Sequence, residues 1–212
     1  MKKNNFCILY LVRHGRTNWN EKGLIQGHTD ISLDSKGKAQ ALELAKELKH
    51  IKFDKVFSSD LLRAKQTAEI IALEHKLIVK TIKALREREF GIFEGKHWTI
   101  LKEIDDALNQ LEESKRFSYK HHTTMESDEE LMSRFLTFLR EIAIASPGKK
   151  ILIVTHGGPM RALLTVLGIV GSKRYFVEIR NLAYLKLESD GVDFFVKETK
   201  GIDVKPEEIK KV

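Results

Sequence analysis

Two short apolar runs in this chain end in the same way. Phe6–Val12 is followed by Arg13-His14-Gly15, and Ile151–Val154 by Thr155-His156-Gly157-Gly158. Runs this short suit strands covered on both faces, because a buried helix needs more residues to close its turns. A strand covered on both faces needs helices above and below it, and the chain supplies them at regular intervals. Ser35–His50 places either Ala39, Leu42, Ala45 and Leu48 or Ala41, Leu44, Ala45 and Leu48 on one helical stripe. Asp60 is positioned as an N-cap for a helix carrying Leu61, Ala64, Ala68 and Ile71. Ser127 and Glu130 form a capping box ahead of Leu131, Phe135, Phe138, Leu139 and Ile142. Pro159 fits the first turn of a helix beginning after His156.

Further strands are predicted at Phe53–Ser58, Leu77–Ile82, Phe176–Ile179, Ala183–Leu187 and Phe194–Val196, with Asp190–Gly191 turning between the last two. Strands alternating with helices predict a three-layer α/β/α sandwich with a mainly parallel central sheet, as one domain over 1–212. Residues 96–126 read as a cap or insertion, with a helix over Trp98–Leu111 and a polar loop over Glu112–Glu126. Residues 200–212 read as a tail with little to bury.

Charge and composition narrow the function. The net charge is +7, but the lysines are spread along the chain. The densest basic stretches are Lys115–Arg116 with Lys120, and Lys205 to Lys211. No zinc-finger, RNA-recognition or helix-turn-helix pattern accompanies them, so solvated lysines and no nucleic-acid partner are expected. No run of about 18 apolar residues occurs, so no membrane partner is expected. Two lysines before Phe6–Val12 give a passing likeness to a signal peptide, but no small-residue cleavage site follows, and a buried strand explains the run better. The single cysteine, Cys7, allows no internal disulfide and suits a reducing cytoplasm.

In parallel sheets ligands bind at the carboxyl ends of the strands, where both histidine motifs fall. A glycine after His14 leaves a carbonyl free to hold one ring N–H, so the other nitrogen can attack. Arg13 offers a planar fork for phosphate. His156 heads a glycine turn into a helix start, whose N–H groups and dipole attract anions. Arg63, in Ser58-Ser59-Asp60-Leu61-Leu62-Arg63-Ala64, sits where the helix dipole disfavours a cation, which points to an anionic partner. Leu85-Arg86-Glu87-Arg88-Glu89-Phe90-Gly91-Ile92-Phe93-Glu94-Gly95 brings three glutamates, any of which can protonate a leaving oxygen. Each segment alone also has a plain structural reading: a strand-end turn, a helix entry, a surface arginine, a self-paired charged loop.

In this order, the four segments resemble the histidine phosphatase superfamily, also called the phosphoglycerate mutase-like family, over roughly residues 6–187. The arginine-histidine-glycine triplet matches Arg13, His14 and Gly15. The second arginine matches Arg63, the proton donor Glu87, and the second histidine His156. Asn20, in Thr17-Asn18-Trp19-Asn20, and Gln26-Gly27 fit the loop after the triplet. The resemblance implies the phosphoglycerate mutase-like fold and a metal-independent, cofactor-free phosphomonoesterase passing through a phosphohistidine on His14. It implies that Arg13, Arg63 and His156 hold the phosphoryl oxygens with the Gly157 N–H and Asn20, that Gln26 and Gly27 line the phosphate loop, and that Glu87 serves as acid and then base. Glu94 is expected to anchor the loop against Arg86 or Arg88. The remaining histidines, His28, His50, His75, His97, His121 and His122, show no zinc-like spacing. The expected partner is a small phosphorylated metabolite. The alternatives are a phosphoglycerate-type phosphomutase and a phospho-ligand-binding regulatory module. Arg16 departs from the family pattern and predicts a more basic pocket rim. Trp98, Lys115, Arg116, Phe117, Tyr119 and Lys120 are the residues expected to give the cap its specificity.

Overall fold

The computed structural model describes residues 6–170 and 177–204. The expected strand start at Phe176 and the basic stretch from Lys205 to Lys211 lie outside these residues. Six strands form one sheet: β1 (Cys7–Arg13), β2 (Lys55–Ser58), β3 (Val79–Thr81), β4 (Lys150–Thr155), β5 (Val177–Ser189) and β6 (Phe194–Val204). Their order across the sheet is β3-β2-β4-β1-β5-β6. The first four run parallel, and β5 and β6 pair antiparallel at one edge.

Side-chain alternation along the strands sends two apolar sets to two faces. On one face Tyr10, Val12, Leu152 and Val154 pack with Leu44, Ala45, Leu48, Ala64, Ala68 and Ile71. These come from α2 (Ser35–Leu48) and α3 (Leu62–His75). On the other face Leu9, Leu11, Ile151 and Ile153 pack with Leu131, Phe135, Leu139, Met160 and Leu163. These come from α6 (Asp128–Ile144) and α7 (Gly157–Val166). The short α1 (Asn18–Glu21), α4 (Ile100–Asn109) and α5 (Glu113–Arg116) complete the helices of the described residues. The three-layer, mainly parallel architecture therefore follows from the apolar patterning. Among the described residues, no helix is long and apolar enough to cross a membrane.

Four local expectations change. Asp60 does not cap α3: its N-cap is Leu61, and the Leu62 N–H donates instead to Asp30 at 2.7 Å. Asp60 is occupied by Arg86, at 2.8 and 2.6 Å, which holds its carboxyl below the usual range. The two strands expected before Ser189 are one strand, β5, whose register shifts between Ile179 and Tyr184 around Leu182 at φ 59°. β6 continues to Val204, so residues 200–204 are strand where a tail was expected. Pairing with β5 explains this, because Tyr184 opposes Lys200 and Ile179 opposes Ile202. The loop expected over Glu112–Glu126 contains α5. The capping box at Ser127 and Glu130 forms, with N–H···O distances of 3.2 and 3.0 Å.

Candidate active site

The parallel ladder brings the two histidine motifs together. Arg13 pairs with Thr155 in register, and the His14 N–H donates to the Thr155 carbonyl at 3.0 Å. The ring centroids of His14 and His156 are consequently 5.1 Å apart. His14 Nδ1 lies 2.7 Å from the Gly15 carbonyl. That acceptor assigns the proton to Nδ1 and leaves Nε2 as the lone-pair nitrogen. Burial, then the nearby Arg63 and Arg13 charges, hold His14 well below the ordinary histidine range, so its ring is neutral at pH 7. His156 is lowered in the same way, by burial and then by Arg63, His14 and Arg13.

A cleft of about 250 Å³ is lined by Arg13, His14, Asn20, Arg63, Glu87 and Gly157 among others. Gln26 and Gly27 line it too. Every expected site residue except His156 therefore faces one space, and His156 stands fully buried beside His14. Arg13 donates one terminal N–H to the Ile179 carbonyl. Arg63, with no exposed surface, donates to the carbonyls of Thr29 at 2.9 Å and Gly27 at 2.7 Å. Burial pushes both guanidinium groups down to about 10, and both stay charged at neutral pH. Arg13 Nε, Arg63 Nε and both ring nitrogens of His156 are buried without a protein partner. Such atoms are costly unless an acceptor meets them.

Two amides share a common arrangement. Asn20 Oδ1 accepts from the Thr17 N–H and hydroxyl, each at 3.1 Å. Gln26 Oε1 accepts from the same hydroxyl at 3.1 Å. Anchoring each oxygen assigns the amide nitrogen as a donor beside the cleft.

Glu87 follows β3 through a 3₁₀ turn, Lys83–Leu85, and the Thr155 hydroxyl ties the Leu85 carbonyl to the end of β4 at 2.9 Å. The Glu87 carboxylate accepts from the N–H of Gly158 at 3.1 Å and of Arg88 at 2.8 Å. The glycine is needed there, because a Cβ on Gly158 would lie 2.1 Å from Glu87 Oε1. Glu94 does anchor the loop, but not against Arg86 or Arg88. It accepts from the N–H of His28 and of Thr29, at 2.9 Å each, and from the Thr29 hydroxyl at 2.6 Å. Arg86 is taken by Asp60, and Arg88 by Asp128. Gly27 permits this packing, with φ 50° and no room for a Cβ against Glu94.

Other expectations move as well. Arg16 is absent from the cleft lining; Asp34 at 2.8 Å and Glu21 at 2.9 Å neutralise it. Of the six cap residues singled out, only Trp98 lines the cleft. Lys115 pairs with Glu112 and Lys120 with Glu130, while Arg116 donates to the carbonyls of Leu111 and Asn109. Tyr119 lines an adjacent pocket of about 90 Å³, and Phe117 lines another with Val166 and Thr165.

Sequence reasoning missed three contributors. Asn181 Nδ2 donates to the His14 carbonyl at 3.0 Å; its signal was a polar pair, Arg180-Asn181, interrupting an apolar strand. Arg161 lines the cleft one turn into α7, inside a segment already singled out. His28 has no zinc-like spacing in the sequence, and its Nε2 donates to the Glu87 carbonyl at 2.8 Å. Nothing in its immediate sequence marks that contact.

A parallel sheet whose strand ends gather two histidines and two buried arginines around a nucleophile-ready nitrogen defines an α/β phosphoryl-transfer enzyme. The chain belongs to the histidine phosphatase superfamily (branch 1), whose family model matches residues 9–200. It is 38% identical over 155 residues to a Bacillus subtilis protein named uncharacterized phosphatase PhoE, covering 73% of this chain and 74% of that one. It is 36% identical over 188 residues to putative phosphoserine phosphatase 2 of Hydrogenobacter thermophilus, covering 87% and 86%. The crystal structure of a phosphoglycerate mutase from Bacillus anthracis superposes with TM-score 0.77 at 26% identity, covering 93% of this chain and 94% of that one.

Proposed function

We propose that the chain hydrolyses a small phosphate monoester in two steps through a phosphohistidine on His14. The observation that carries this reading is the His14 Nδ1–Gly15 carbonyl contact at 2.7 Å, which leaves Nε2 as the lone-pair nitrogen of a neutral ring lining the cleft. Phosphoryl transfer needs positioning and charge neutralisation more than covalent help from the protein. Nε2 attacks phosphorus in line, and the bond from phosphorus to the ester oxygen breaks. Glu87 gives its proton to the departing oxygen. Arg13 and Arg63 neutralise the phosphoryl oxygens, joined by neutral hydrogen-bond donors: the His156 ring, the Gly157 N–H and the amides of Asn20 and Gln26. In the second step the Glu87 carboxylate takes a proton from water as the water oxygen attacks phosphorus. Inorganic phosphate leaves, and His14 is restored. The positive charge in this scheme comes from Arg13 and Arg63, and no metal or cofactor enters it. A lone buried thiol, Cys7, fits action in the cytoplasm.

The 96–126 segment acts in this reading as the specificity cap, through apolar contacts more than through charge. The pocket beside the cleft is walled by Phe90, Leu101, Ile104, Leu108 and Met125, and it shares Phe90, Leu101, Gly158 and Arg161 with the cleft. A leaving alcohol with a short apolar arm fits that annex.

The test is phosphoenzyme trapping with a labelled ester. Wild type is expected to give an acid-labile, alkali-stable label and His14→Ala none, with turnover abolished and the melting profile retained. Equal labelling of the variant sinks the nucleophile assignment. Single-turnover transfer of the label to a second hydroxyl compound in preference to water would instead favour a phosphomutase.

A further inference from the structure

The segment that carries Glu87 is held from behind by one side chain. Arg134 lies on α6, one helical turn after Glu130, and is absent from the cleft lining. A guanidinium has five N–H donors in a fixed plane, and Arg134 places all five. Nε and one Nη2 N–H engage Glu126 at 2.6 and 2.8 Å. Nη1 donates to the carbonyls of Ala84 at 2.8 Å and Arg86 at 2.9 Å. The remaining Nη2 N–H donates to the Glu87 carbonyl at 2.8 Å. His28 donates to that same carbonyl from the opposite element, also at 2.8 Å, so both lone pairs of the oxygen are used.

Glu126 is itself fixed to the segment. Its N–H donates to the Glu89 carbonyl at 2.9 Å, and its carboxylate accepts from the Glu89 N–H at 3.3 Å. A fork that served stability alone would gain as much from any carbonyls within reach. This one grips residues 84, 86 and 87, the last being the residue whose carboxylate faces the cleft. We propose that Arg134, braced by Glu126, is a positioning residue for Glu87: it sets where the carboxyl stands relative to the leaving oxygen and touches no substrate itself. The inference rests on the acid role given to Glu87 above.

The consequence is a leaving-group signature. An alkyl phosphate needs its departing oxygen protonated in the transition state, whereas a nitrophenolate leaves without help. Displacing a catalytic group by about 1 Å costs about 10²-fold in rate. Arg134→Gln should therefore slow an alkyl phosphate about 100-fold, with a much smaller loss in the nitrophenol burst from para-nitrophenyl phosphate. Competitive inhibition by inorganic phosphate should change far less than the alkyl rate, because Arg13, Arg63 and His14 keep their places and only the Glu87 edge of the cleft shifts. Arg134→Lys should recover part of the alkyl rate, as one ammonium reaches some but not all of the three carbonyls.

A double-mutant cycle separates this inference from its premise. Glu87→Gln alone is expected to slow the alkyl ester by about 10²–10⁴-fold, and adding Arg134→Gln to it should cost nothing further. Should Glu87→Gln show the signature while Arg134→Gln slows both esters equally, or adds its full loss in the double variant, the positioning role is overturned and the acid stands. Should Glu87→Gln slow both esters equally, the acid assignment itself falls, and this inference with it. If Arg134→Gln does not fold, Glu126→Gln and Arg134→Lys carry the same comparison.

Discussion

The phosphate cleft and the 96–126 segment are built on different foundations. Arg13, His14, Arg63 and Gly157 lie at or just after the ends of β1, β2 and β4, whose side chains belong to the two large apolar clusters of the sheet. The 96–126 segment rests on a small separate cluster in which Ile104 and Met125 pack with Ile25 and Phe93. Its Trp98 and Phe117 are exposed, and its Lys115 and Lys120 pair at the surface with Glu112 and Glu130. The contrast suggests a division of labour in the proposed reading: the main fold holds Arg13, His14 and Arg63, and the 96–126 segment, on its own small cluster, is the part expected to tolerate change.

The sharpest way to break that contrast is Arg63→Ala. The side chain ties the Gly27 and Thr29 carbonyls as well as facing the cleft. Losing a donor to developing charge costs about 10²–10³-fold in turnover. Two stranded buried carbonyls cost about 1–3 kcal/mol each. Steady-state kinetics and denaturant melts should show both losses together. A variant that loses turnover at wild-type stability would mean the loop does not depend on the arginine.

A smaller effect is expected from pH. His14 and His156 are lowered in the folded chain by burial and by the arginines, while the unfolded residues titrate at about 6.5. Above that value both states hold neutral rings and nothing is lost. Below it the unfolded chain takes up protons that the folded chain refuses, so stability falls as pH drops. Inorganic phosphate should offset the fall, because an anion favours the charged rings. Melting temperatures from pH 8 to pH 5, with and without phosphate, check this; a profile that stays flat below pH 6.5 would contradict the burial of the two rings.

The smallest effects belong to the 96–126 segment. Ile104→Ala should shift preference among alkyl phosphates of different chain length by about 10-fold, the worth of one or two methylenes in a pocket. The His14 label from para-nitrophenyl phosphate should persist. The triple change of Lys115, Arg116 and Lys120 to alanine should shift preference hardly at all, since these side chains are engaged with Glu112, Glu130 and backbone carbonyls. A large shift from the triple variant, with none from Ile104→Ala, would make the cap's selectivity electrostatic.

What was legible in the sequence follows the same divide. The strands and helices around His14, Arg63 and His156 announce themselves because burial imposes a period and glycine marks each strand end. Glu87 was legible only through a motif, as nothing local separates it from Glu89 and Glu94. Asp60 misled because capping chemistry looks alike whether the carboxylate meets an N–H or an arginine. The contacts of Arg134, His28 and Asn181 span 47, 59 and 167 residues of chain. No local pattern records a partner so distant. Lys115, Arg116 and Lys120 looked available for a substrate because sequence shows charge without showing what already neutralises it.

The backbone ladder that joins Arg13 to Thr155 and the His14 N–H to the Thr155 carbonyl has a consequence in time. Hydrogen bonds between the two central strands of a buried parallel sheet open at a higher cost than those of a helix resting on a small cluster, which frays by itself. The amides of Arg13 and His14 are therefore expected to exchange more slowly than those of α4. If 96–126 is the proposed specificity cap, discrimination among esters is expected to fail on warming before cleavage does.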